Sequence, residues 1–188
     1  MRTCLIISFL FFLACSALGQ NKKLAFSTIN QGGVISGSKG DSWTIETING
    51  IKKANWFTGV GAGLDFYDKR TVPLFLDVRR DVSNKKNTPF VYADAGINFL
   101  WLNTTQKEQS QFPKSSPGLF YDFGLGWKLS CKDNRSFILS AGYSLKQVKE
   151  NIKYPWVPIA PTQQLQGDND ERYNYLYRRI VIKIGFML

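Results

Sequence analysis

The stretch from Asn55 to Val82 reads NWFTGVGAGLDFYDKRTVPLFLDVRRDV. From Trp56 the even positions carry Val60, Leu64 and Phe66, with Thr58 and Ala62 between them, while the odd ones hold Gly59, Gly61, Gly63 and Asp65. After the polar Asp68 to Arg70 the alternation resumes, with Val72, Leu74, Leu76 and Val78 on one face and Phe75, Asp77, Arg79 and Asp81 on the other. Period two on both sides of a short polar turn predicts a β-hairpin with one apolar face. A three-residue loop at Asp68 to Arg70 would pair Tyr67 with Thr71, Gly61 with Asp77 and Gly59 with Arg79. In that register the glycines leave room for charged side chains on the neighbouring strand. Pro73 falls near the loop, where a missing ladder bond is best tolerated.

The same alternation runs through the rest of the chain. Leu24 to Ser38 is a blurred strand with a bulge or bend expected at Gly32 and Gly33. Ser42 to Ile48 sets Trp43, Ile45 and Thr47 against Thr44, Glu46 and Ile48, and Asn49 with Gly50 is the expected turn before the hairpin. Pro89 to Asn103 sets Val91, Ala93, Ala95, Ile97, Phe99 and Trp101 against Tyr92, Asp94, Gly96 and Asn98. Gly118 to Leu129 sets Leu119, Tyr121, Phe123, Leu125 and Trp127 against Phe120, Asp122, Gly124, Gly126 and Lys128. Two further strands are expected over Arg135 to Val148 and Arg172 to Leu188; the last carries Arg179 and Lys183 opposite Ile180, Ile182 and Ile184. Long polar connections occupy Asn103 to Pro117 and Lys149 to Glu171.

Eight strands with no helical pattern between them fit an all-β, antiparallel up-and-down barrel, in which closing the first strand on the last removes both exposed edges. The two longest connections fall on one rim and short turns on the other, the asymmetry of outer-membrane barrels. Alternation alone also suits a soluble lipocalin-like carrier with the apolar face inward. Glycine-rich polar faces and aromatics towards both ends of the apolar stripes argue for lipid outside. The girdles would comprise Trp56, Trp127, Phe137 and Phe186 near the turns, and Phe66, Phe99, Trp101, Tyr121 and Tyr143 near the loops. Trp56 to Phe66 spans about 33 Å of strand, or about 25 Å of height at a tilt of about 40°.

The first residues, MRTCLIISFLFFLACSALGQ, show an Arg, an apolar run and small residues before Gln20. This is the layout of a secretory signal over residues 1–19, followed by a barrel domain over 20–188. Cys15 raises lipoprotein processing as a rival. Cys131 is the one cysteine left in the barrel domain, which excludes an intramolecular disulfide and a cysteine metal cluster there.

These residues resemble the small eight-stranded outer-membrane β-barrel proteins of Gram-negative bacteria, of OmpA, OmpX and OmpW type. The match lies in Gly59, Gly61, Gly63, Asp65 and Tyr67, then Pro73 to Asp77 with Arg79, and in Phe90 to Gly96. It implies export to the outer membrane, contact with lipid and lipopolysaccharide, and passage through the outer-membrane insertion machinery. Phe186 falls where that class carries a terminal aromatic, but Met187 and Leu188 follow it.

The chain contains no histidine, which removes Ser-His and Cys-His pairs and the imidazole base. The outer-membrane barrel enzymes of that resemblance rely on a histidine, so no enzymatic activity and no cofactor are expected. The formal net charge of +10 comes from scattered basic pairs without a basic stripe, so nucleic acid is not an expected partner. Lumen-facing Asp65, Asp77, Asp94 and Asp122 should instead neutralise Arg79, Lys128, Arg179 and Lys183 in a structural charge network. Trp156, between Pro155 and Pro158, is the candidate contact for a surface protein partner. The leading expectation is therefore a non-enzymatic outer-membrane barrel with a structural or partner-binding role. A narrow channel for small solutes is the alternative.

Overall fold

A computed structural model describes residues 24–101, 116–131, 135–153 and 170–188. They form eight strands: β1 (Ala25–Gly37), β2 (Gly40–Lys53), β3 (Trp56–Asp65), β4 (Thr71–Asp81), β5 (Thr88–Leu100), β6 (Gly118–Ser130), β7 (Ser136–Lys153) and β8 (Asp170–Met187). Each pairs antiparallel with the next, and β1 closes on β8 from Ile29 opposite Met187 to Gly37 opposite Arg179. The chain is a closed eight-stranded barrel. Beyond the last strand residue, the Thr28 and Leu188 backbones exchange bonds of 3.0 and 2.8 Å, and Ser27 Oγ donates to the Leu188 carbonyl.

The faces settle the orientation that alternation left open. Val60, Leu76, Leu125 and Ile180 are each at least 60 % exposed, whereas Asp77, Lys146, Arg179 and Lys183 are at most 1 % exposed. A water-soluble barrel would not leave so broad an apolar surface uncovered. The lipocalin-like alternative, which needs the apolar face inside, is thereby corrected. Trp56 and Trp127 near the turn rim, and Phe99, Trp101 and Tyr121 near the loop rim, are exposed on this outer face. Trp43 joins the loop-side group, its ring stacked on Phe66 at 3.8 Å between centroids.

Four expectations about the strands change. Gly32 and Gly33 form no bulge: β1 pairs residue for residue through both of them with β2 and with β8. Asn49 and Gly50 are not a turn: β2 continues to Lys53, and the chain reverses at Ala54 and Asn55, with Ala54 at φ 56°. The reason is backbone proximity, because Gly50 lies opposite Gly59 and a Cβ there would run into the Thr58 carbonyl. The hairpin register is also displaced by two residues. Asp65 pairs with Thr71, Gly61 with Phe75, Gly59 with Asp77 and Phe57 with Arg79, so the loop runs from Phe66 to Arg70, with Asp68 at φ 54°. A shift of two preserves both faces. Finally, β7 and β8 stay paired to Lys153 opposite Asp170, shortening the connection expected over Lys149 to Glu171 at both ends. Pro73 behaves as its missing N–H requires: the β3–β4 ladder lapses between Ala62–Leu74 and Asp65–Thr71.

Candidate functional site

The inward faces stack three tiers of charge, separated by packed rings. At the loop end, Asp65 of β3 accepts from Lys146 Nζ of β7 at 3.0 Å and from Arg179 Nη1 of β8 at 2.5 Å. Lys146 also donates to the Tyr67 and Lys69 carbonyls at 2.9 and 2.7 Å, so its amine holds the β3–β4 loop over the barrel mouth. Arg179 Nη2 donates to Ser144 Oγ at 2.7 Å. The Tyr67 hydroxyl accepts from the Lys39 backbone N–H at 2.8 Å, tying the two loops of this rim together. Tyr177 pairs with Asp68, and Lys69 with Glu150, at the same end.

The middle tier is centred on Lys183 of β8. Its amine lies 2.7 Å from Asp122 of β6, 2.8 Å from Glu46 of β2 and 3.9 Å from Asp94 of β5. Tyr92 donates its hydroxyl to Asp122 at 3.0 Å, and Gln31 Nε2 donates to Glu46 at 2.6 Å. Gln31 Oε1 in turn accepts from Arg79 Nη2 at 3.2 Å, and Arg79 Nε donates to Asp77 at 2.9 Å. Asp77, Asp94 and Asp122 stand directly opposite one another on β4, β5 and β6. The tier thus sets four carboxylates against two cations.

The turn rim carries the third tier, in which Asp81 pairs with Lys52 at 3.2 Å and with Lys128. Asp65 near the loop end and Asp81 at the turn rim each face two cations, in contrast to the acid excess of the middle tier. Aromatic and aliphatic side chains fill the space between: Ile29, Ile48, Phe57, Phe75, Phe90 and Phe120 near the middle and turn rim, and Ile35, Tyr67, Val148 and Val181 near the loop rim. A cavity of about 490 Å³ opens at the turn rim, lined in part by Lys52, Asp81, Lys85, Lys86 and Lys128. Beyond it, between Phe57, Arg79, Phe90 and Met187, the free space is about 10 Å³, room for no more than about one water.

Of the residues singled out from sequence, Asp65 and Arg179 meet at one tier, and Asp77, Arg79, Asp94, Asp122 and Lys183 meet at another. Lys128 joins neither. It sits at the turn rim with Asp81, because β6 runs downward past the middle tier before Lys128 is reached. Trp156 lies outside the described residues. Lys146, Glu46 and Gln31 complete these tiers without standing out in the sequence, although Glu46 and Lys146 share parity with inward Thr44 and Ser144. The glycines do more than make room for charge. Gly33 and Gly63 do make room for Lys183 and Glu46, but a Cβ on Gly61, Gly126 or Gly142 would collide with Phe75, Phe90 or Tyr92.

No family model matches the sequence, and no curated protein matches it. Solved structures match its shape. Neisserial surface protein A aligns over 89 % of this chain and 99 % of its own, with 13 % identity and a TM-score of 0.54. Outer membrane protein OprG from Pseudomonas aeruginosa aligns over 89 % and 97 %, with 14 % identity and a TM-score of 0.54. This chain has the fold of the small outer-membrane β-barrels. Outer membrane protein AlkL, solved in DMPC lipid bilayers, adds a third case at 10 % identity, 90 % of each chain and a TM-score of 0.50. At such identities the likeness concerns the fold and carries no residue-level role across.

Proposed function

We propose that this chain is a non-enzymatic integral protein of the bacterial outer membrane whose lumen is closed, so that it serves the envelope as a structural barrel or through its outer loops. The observation that carries the reading is the middle tier: Lys183 and Arg79 join six strands through buried carboxylates and Gln31, at a height where the remaining space is filled by aromatic rings. Such a tier serves register and closure. A charge pair inside a barrel is worth most when every partner is engaged, because removing one leaves the other buried and uncompensated.

Acid–base chemistry has little support. Asp77, Asp94 and Asp122 are at most 2 % exposed, so no substrate reaches them, and the chain has no histidine to act in their place. Lipid and lipopolysaccharide are the partners proposed for the outward belt, with the insertion machinery acting during assembly. Fractionation tests the reading. The protein should sediment with outer membranes, resist extraction without detergent, and migrate differently on gels before and after boiling. Release of the full chain into a detergent-free soluble fraction would overturn it.

A further inference from the structure

The lipid-facing wall is not uniformly apolar. On β1 and β2 the outward positions include Thr28, Asn30, Thr47 and Asn49, where the other strands place residues such as Leu76, Leu125 and Ile182. The four side chains form two pairs, Thr28 Oγ1 donating to Asn49 Oδ1 at 2.8 Å and Thr47 Oγ1 to Asn30 Oδ1 at 2.9 Å. Both amide oxygens are thereby used, while neither amide nitrogen has a partner among the described residues. Beside them Gly32 and Ala62 are small, and the surface sinks into a groove of about 740 Å³ walled by Ile45, Leu64, Ile184 and Phe186.

The depth of this patch matters. Asn30 pairs with Thr47, and Thr47 with Ala62, which lies six residues along β3 from the girdle residue Trp56. That puts Ala62 about 15 Å up a belt about 25 Å tall. The strand tilt lowers Thr47 and then Asn30, which stands opposite the turn-side girdle residue Phe186 on β8, so the patch lies in the turn-side half of the hydrocarbon. An unmatched amide N–H there is costly, since hydrocarbon offers no acceptor. An acyl chain could fill the groove but could not satisfy the amides.

We propose that the β1–β2 face, with Asn30, Thr47, Thr28 and Asn49 at its centre, is a homodimer interface within the membrane. A second copy fits for a geometric reason. Copies inserted in one direction are related by a twofold axis along the membrane normal, which brings each residue to a surface at its own depth. Asn30 and Asn49 therefore meet the partner's polar patch, and a side-chain amide is both donor and acceptor and so complements itself. The small Gly32 and Ala62 allow the two walls to approach, as small residues do between membrane helices. A different membrane protein would need its own polar residues at this same depth.

The inference rests on the outer-membrane reading, and the test keeps the two apart. The barrel chain from residue 20, which contains all eight strands and Cys131 as its one cysteine, is labelled at the exposed Cys131 with donor or acceptor dye. Mixed populations are folded into preformed phosphatidylcholine vesicles, with heat-modifiable migration reporting insertion independently of association. Energy transfer above the random-proximity level, falling on dilution with lipid, is expected. It should weaken at least tenfold in dissociation constant for Asn30→Leu with Thr47→Val and for Thr28→Val with Asn49→Leu. Each pair of substitutions is read only if it inserts, and either suffices. Inserted protein showing only random proximity would overturn the proposal, as would association undiminished in the inserted variants.

Discussion

Lys183 Nζ stands 2.7 Å from Asp122 Oδ2, joining β8 to β6 across the lumen from a side chain that is 1 % exposed. The same amine holds Glu46, so its loss leaves carboxylates on β2, β5 and β6 facing one another without their cation. Lys183→Met should therefore destabilise the barrel by about 3–5 kcal/mol, the range for breaking a buried charge pair from one side. Urea titration of folding into vesicles measures this. Asp122→Asn, which keeps the shape and a hydrogen-bonding oxygen, should cost clearly less than Lys183→Met.

Gly61 faces the ring of Phe75 on the neighbouring strand, and a methyl group there would overlap the ring edge. Gly61→Ala should cost about 1–3 kcal/mol through overpacking. Phe75→Leu in the same chain should recover part of that loss, giving a coupling energy in a double-mutant cycle. At Gly96 the obstacle is the Leu74 carbonyl, which cannot swing away. Gly96→Ala should therefore cost more than Gly61→Ala and should not be rescued by Phe75→Leu.

Lys146 ties the β3–β4 loop to the barrel through the Tyr67 and Lys69 carbonyls and reaches Asp65 as well. Lys146→Met should raise amide exchange across residues 66–70 at least tenfold while strand amides of β4 and β5 keep their protection. Hydrogen exchange resolved by peptide reads both regions in one experiment. Uniform loss of protection would mean that Lys146 supports the whole barrel and not the loop.

Trp43, Trp56, Trp101 and Trp127 all lie on the outer face. Brominated acyl chains should therefore quench most of the indole fluorescence of the folded protein, with bromines near the headgroups more effective than those near the chain ends, because the rings sit towards the two rims. An even response to all bromine depths would contradict the girdle placement.

The strand faces were legible in the sequence because a period of two is local: Val72, Leu74, Leu76 and Val78 declare their side without knowledge of any neighbour. Which strands pair was legible too, since a meander with closed ends has few alternatives. Register was not. The hairpin loop holds five residues instead of three because Asp65 caps it, its carboxylate accepting from the Tyr67 N–H at 2.9 Å, and no alternation of apolar residues signals that bond. Asn49 and Gly50 misled for a related reason. Their composition suits a turn, yet Gly50 is needed for the close approach of β3 and Asn49 is used on the outer face. The charge network was half visible. Parity places a residue inside, but only tilt and stagger decide that Lys183 reaches Glu46 while Lys128 meets Asp81.

Single-protein recording in a planar bilayer reads out whether the lumen is closed by its own side chains. The refolded wild-type barrel should show no steady conductance. Arg79→Ala with Asp77→Ala, which opens space beside the narrowest level and frees Gln31, should show small, reproducible conductance steps while remaining heat-modifiable. Steady conductance of the wild-type protein, unchanged by these substitutions, would contradict the closed lumen and favour a narrow channel for small solutes.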